Sequence, residues 1–101
     1  AGANQYKKME DFSSAVLTYE NILKDFPDTK YRENIYFSIY DAYYLLAMKS
    51  VSQKKGERID EAVVAYANFA KRYPNSSFMN DANSMYSRME REKVKLEKQK
   101  K

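Results

Sequence analysis

The chain has 101 residues, 44% of them apolar, with two Gly, two Pro and no Trp: enough for one small helical core, and too few turn residues for a β architecture. With neither Cys nor His it has no disulfide, no thiolate nucleophile, no imidazole proton shuttle and hardly any route to a zinc site. The net charge of +4 belongs to one end, because residues 88 to 101 hold seven basic and three acidic side chains while residues 1 to 87 balance at eleven of each.

The sequence begins Ala1-Gly2-Ala3 without an initiating Met and is read as a piece of a longer protein. No run of about 18 apolar residues occurs, so neither a helical membrane span nor a signal peptide is expected within it. The residues Phe12, Ala15, Val16, Tyr19, Ile22, Leu23 and Phe26 fall on one helical stripe that must be buried against a neighbour. Pro27 ends that helix, since it lacks the N–H that would continue the ladder and restricts the residue before it. Asp28 and Thr29 then offer oxygens to cap the next helix.

A second helix is predicted from about Lys30 to Ser50. Ile35, Ile39, Ala42, Tyr43 and Leu46 line one side of it, with Tyr36, Phe37, Tyr40, Tyr44 and Ala47 around them. A helix apolar on most of its circumference is covered on two sides. The polar, Gly-containing stretch Val51 to Glu57 is predicted to be a connecting loop. A third helix carries Ile59, Ala62, Val63, Tyr66, Phe69, Ala70 and Tyr73 on one stripe and stops at Pro74, before Asn75-Ser76-Ser77. The acidic pairs Glu10-Asp11 and Asp60-Glu61 are expected at helix starts, where negative charge suits the macrodipole. The last helix, from about Ser77, is expected to dock through Phe78, Ala82, Met85, Tyr86 and Met89 over its first three turns and then to project into water.

These elements repeat. Phe12, Ala15, Val16, Tyr19, Asn21, Ile22, Lys24, Phe26 and Pro27 recur 47 residues later as Ile59, Ala62, Val63, Tyr66, Asn68, Phe69, Lys71, Tyr73 and Pro74. A fixed period of this kind marks a stack of helical hairpins, each burying the face its neighbour leaves open.

Ala15, Tyr19, Ile22 and Pro27, and again Ala62, Tyr66, Phe69 and Pro74, have the separations of the small, aromatic, small-or-apolar and Pro positions of a tetratricopeptide repeat. Tyr6 stands where that repeat has an aromatic in its first helix, so the chain is read as starting inside the first helix of a repeat. The period exceeds the usual 34 residues, and the excess is expected as an insertion at Lys49 to Glu57. The reading is an all-α, tetratricopeptide-like α-hairpin solenoid with a C-terminal capping helix. Residues 1–92 form the repeat domain, truncated at its N-terminus, and 93–101 a charged helical or disordered tail.

The turns Phe26-Pro27-Asp28-Thr29 and Tyr73-Pro74-Asn75-Ser76, with the long helix between them, resemble those of the BamD-like outer membrane protein assembly factors and their periplasmic relatives. The resemblance implies a scaffold on the periplasmic face of a Gram-negative outer membrane, whose C-terminal repeats dock the periplasmic domain of the barrel component in the complex that inserts β-barrel proteins. Such factors are lipoproteins, and the lipidated Cys is absent here.

Recognition without catalysis is the expectation, with no cofactor and no metal. Tyr36, Tyr40, Tyr43 and Tyr44 are candidates for a partner surface, because a Tyr ring buries much area and keeps a polar handle, and the competing reading is that they pack between helices. Lys54 and Lys55 in the predicted loop, Arg58 just after it and Arg88 on the last helix are the charged candidates. A generic repeat adaptor with another client is the alternative. A basic nucleic-acid-binding module is disfavoured, since Glu90, Glu92 and Glu97 interleave the tail's cations and no aromatic there offers a stacking platform.

Overall fold

The computed structural model describes residues 2–99, with side chains from Phe12 to Lys98. Four helices follow in chain order, α1 (Gly2–Asp25), α2 (Arg32–Lys49), α3 (Ser52–Arg72) and α4 (Met79–Gln99), and there is no strand among the described residues. The all-α hairpin stack expected from the repeat is the observed architecture. It fills 47 × 32 × 19 Å, about two helix diameters thick. α2 packs on each of the other three helices, whereas among the described residues α1 meets neither α3 nor α4. That position explains why α2 is apolar all round: Ile35, Ile39, Tyr40, Ala42, Tyr44 and Ala47 are all buried. No helix is long and apolar enough to cross a membrane among the described residues.

The two Pro turns are built alike. Phe26 N–H donates to the Ile22 carbonyl at 2.8 Å, and Tyr73 N–H to Phe69 at 2.9 Å. Thr29 Oγ1 accepts from Tyr31 N–H at 3.3 Å, and Ser76 Oγ from Phe78 N–H at 3.0 Å. The capping oxygens thus act two residues ahead, in a turn that feeds the helix, and the hydrogen-bond partners in one turn match those in the other at the 47-residue period.

Four expectations need correction. The first concerns α1, which is one continuous helix from Gly2, not the end of one helix and the start of another. No Gly or Pro lies between Ala3 and Phe26 to break it. The side chains of Tyr6, Glu10 and Asp11 lie outside the described residues.

The second is the loop. Ser52 to Glu57 form the first turns of α3, and the link from α2 is Ser50-Val51 alone. Lys54 and Lys55 N–H both donate to the Val51 carbonyl at 2.9 Å, so the helix ladder begins at once. Gln53, Lys54, Lys55, Glu57 and Arg58 are good helix formers, and they outweigh the single Gly56. The extra length of the repeat is therefore taken up by longer helices. A Cβ at Gly56 would meet only Leu96 Cδ1, at 3.9 Å. Gly56→Ala is expected to raise the unfolding free energy by about 0.5–1 kcal/mol, read as a higher urea midpoint.

The third is α4, which stays docked well beyond its third turn. Ala82 and Met89 are fully buried, Leu96 still packs on the core, and Lys93 Nζ lies 2.8 Å from Asp60 Oδ1 on α3. With it goes the helix-start reading of Asp60-Glu61, which lie deep inside α3 and face neighbouring helices.

The fourth is Phe26, which is 65% exposed, while its counterpart Tyr73 packs on Tyr36 with ring centroids 6.1 Å apart. The same step runs along the whole face. On α3, Ile59, Ala62, Ala65 and Phe69 are buried, whereas Phe12, Ala15 and Ile22 on α1 are half-buried and Thr18 is exposed. The α3 face lies on α2, and among the described residues no helix covers the matching face of α1. At the other end the step is polar: Phe37, Tyr40 and Tyr44, which turn inward on α2, become Ser84, Ser87 and Arg91 on α4, all exposed. That substitution suits a terminal helix with a wet outer side.

Candidate protein-docking groove

Because α1 and α3 both lie on α2 and do not meet among the described residues, a groove of about 500 Å³ opens between them. α2 forms its floor with Tyr36, Ile39 and Tyr43, α1 supplies Glu20 and Leu23, and α3 supplies Glu61, Val64, Ala65, Asn68 and Arg72. Each helix contributes through helical spacing. Residues 36, 39 and 43 stand three and four apart, and residues 61, 64, 65, 68 and 72 form one line along α3.

The groove is apolar in the middle and charged at its ends. Burial pushes the Tyr43 phenol above its ordinary pKa, and the Glu20 and Glu61 carboxylates facing it push it the same way. At the other end the Arg72 guanidinium sits over the Tyr36 ring, 4.7 Å from its centroid, where the ring quadrupole attracts it. Among the described residues the one ion pair is Lys93–Asp60, so Glu20, Glu61 and Arg72 have no salt-bridge partner there.

The candidates read from the sequence scatter. Tyr36 and Tyr43 are half-buried and line the groove. Tyr40 and Tyr44 are buried, which corrects their assignment to a surface. Tyr40 is at 0% exposure, its ring 5.5 Å from that of Tyr66, and its hydroxyl donates to the Ala82 carbonyl at 2.9 Å, tying α2 to α4. Lys54 is exposed, Lys55 is half-buried, and Arg58 donates to Ser50 Oγ at 2.7 Å while Ser50 Oγ donates to the Leu46 carbonyl at 2.6 Å. Arg58 thus holds the α2–α3 link. Arg88 is exposed on α4, away from the groove lining. Glu20, Glu61, Asn68 and Arg72 were the residues missed; the polar ends of the 61-64-68-72 line are the signal that marks them. No cluster of three metal-ligating side chains occurs among the described residues.

Burial raises the Tyr40 phenol far above its ordinary pKa, with Tyr66, Tyr44 and Asp41 adding to the shift. A raised phenol favours the protonated folded state, so this stabilisation is complete below the unfolded value of about 10 and is lost as pH rises above it. Tyr40→Phe is expected to cost about 0.5–1.5 kcal/mol at neutral pH, through the lost bond to Ala82, and to flatten the fall of stability in alkali. Urea melts from neutral to strongly alkaline pH check both, and an equally steep alkaline fall in the variant would contradict the assignment.

Comparison with known proteins agrees with this architecture. The tetratricopeptide repeat model matches residues 1–29 and 41–76, the two matches ending at Thr29 and Ser76, equivalent residues of the two turns. No curated protein matches the chain. Tetratricopeptide repeats are generally non-enzymatic and mediate protein–protein interaction. With more than half of its residues matched and its helices stacked as the period requires, the chain belongs to the tetratricopeptide repeat family.

Proposed function

We propose that this chain is a protein-docking scaffold working within a BamD-like assembly factor at the periplasmic face of a Gram-negative outer membrane. Its partner in that reading is the periplasmic domain of the barrel component, and membrane attachment belongs to a lipid anchor of the parent protein. The groove between α1 and α3 carries the docking part: it combines a half-buried apolar floor with charged rims that have no partner among the described residues. Such a surface gains more from a protein segment laid along it than from water. The paired aromatic-Pro turns support the placement in this group of assembly factors.

Titration of the purified chain with the periplasmic domain of a barrel component tests the proposal. Saturable binding is expected, weakened by Val64→Lys, a change at an exposed groove residue. Binding to other protein segments without binding to that domain removes the outer-membrane placement and leaves a docking scaffold with another client.

A further inference from the structure

The groove has a direction. Glu20 on one wall and Glu61 on the other line the groove together with Tyr43 on its floor, close enough for both carboxylates to act on the phenol, and neither has a salt-bridge partner among the described residues. Eleven residues along α3 from Glu61, Arg72 presents a guanidinium likewise without a salt-bridge partner. At 1.5 Å per residue the two poles stand about 16 Å apart along the helix. That is the reach of about five extended residues or of three helical turns. Between them the lining is mostly apolar: Leu23, Ile39 and Val64.

We propose that this groove takes a partner segment in one orientation, with a Lys or Arg side chain between Glu20 and Glu61, apolar side chains over Leu23, Ile39 and Val64, and a carboxylate at Arg72. The inference rests on the protein-docking reading and adds to it the chemistry of the partner. Charge complementarity is its warrant. A cation at the Tyr43 end meets two carboxylates and the electron-rich ring at once, whereas an anion placed there is repelled by both acids. Reversing the segment puts like charges together at both ends, which supplies selectivity as well as attraction.

Selection of random twelve-residue peptides displayed on phage, against the whole chain, tests this without knowledge of the natural partner. Selected peptides are expected to carry Lys or Arg on one side of an apolar pair and Asp or Glu on the other. They are expected to bind E20Q/E61Q about tenfold more weakly, and Val64→Lys should weaken the same peptides. Glu20, Glu61 and Val64 are all exposed, so the variants should keep the helical circular dichroism and urea midpoint of the parent. Selected peptides without a basic position, or with equal affinity for E20Q/E61Q, overturn the groove assignment and leave the docking reading standing. A chain that selects no peptide at all counts against both.

Discussion

Phe69→Ala is expected to lower the unfolding free energy by about 3–5 kcal/mol. Phe69 is fully buried, its ring centroid 5.6 Å from that of Phe37 and 5.9 Å from that of Tyr73. Phe37 in turn stacks on Phe78 at 4.7 Å and 11°. The Phe69 ring therefore packs α3 on α2, next to the Phe37–Phe78 stack that reaches the start of α4, and no neighbour can collapse into its space without giving up its own packing. Domains of this size have about 5–15 kcal/mol in total, so the variant approaches the edge of folding. Urea denaturation should show a much lower midpoint with an unchanged slope. Phe26→Ala, just past the end of α1 and 65% exposed, should stay within about 0.5 kcal/mol. A loss below about 1 kcal/mol for Phe69→Ala would contradict the close packing of this ring against α2.

Met89→Ala is expected to cost about 2–5 kcal/mol and to act locally. α4 is held to the stack by Phe78 at its start, by the small, fully buried Ala82, and by Met89 two turns later. Beyond Met89, among the described residues, half-buried Leu96 and the exposed Lys93–Asp60 pair continue the docking, and an exposed ion pair adds little. Removing the Met89 side chain should therefore free residues 90–99 first. Amide hydrogen exchange is expected to speed up there while α2 keeps its protection. Uniform acceleration across all four helices would show that α4 unfolds only with the whole.

The fold was legible in the sequence because the 47-residue period preserves the character of each stripe, and the two Pro fix where helices end. The boundary at α3 was not, because polar residues next to a Gly read as loop when only local turn chemistry is considered. Helix propensity and the ladder starting from Val51 decide it the other way. Phe26 illustrates a second limit: a stripe shows which face is apolar and says nothing of whether a neighbour lies on it. The groove was half legible. Tyr36 and Tyr43 stood out as aromatic, but Tyr40 and Tyr44, one residue away from the groove line around the same helix, turn into the core. The charged rims depend on which helices sit side by side, and that arrangement comes from packing.

The link Ser50-Val51 has mechanical meaning. So short a tie, fastened by Arg58, fixes α3 against α2 as one jaw with a rigid base. α1 rests on α2 through a longer turn and does not meet α3 among the described residues, so it is the opposite jaw. The distance between Glu20 and Glu61 is therefore set by the angle at which α1 lies on α2, and the seating of α3 does not enter it.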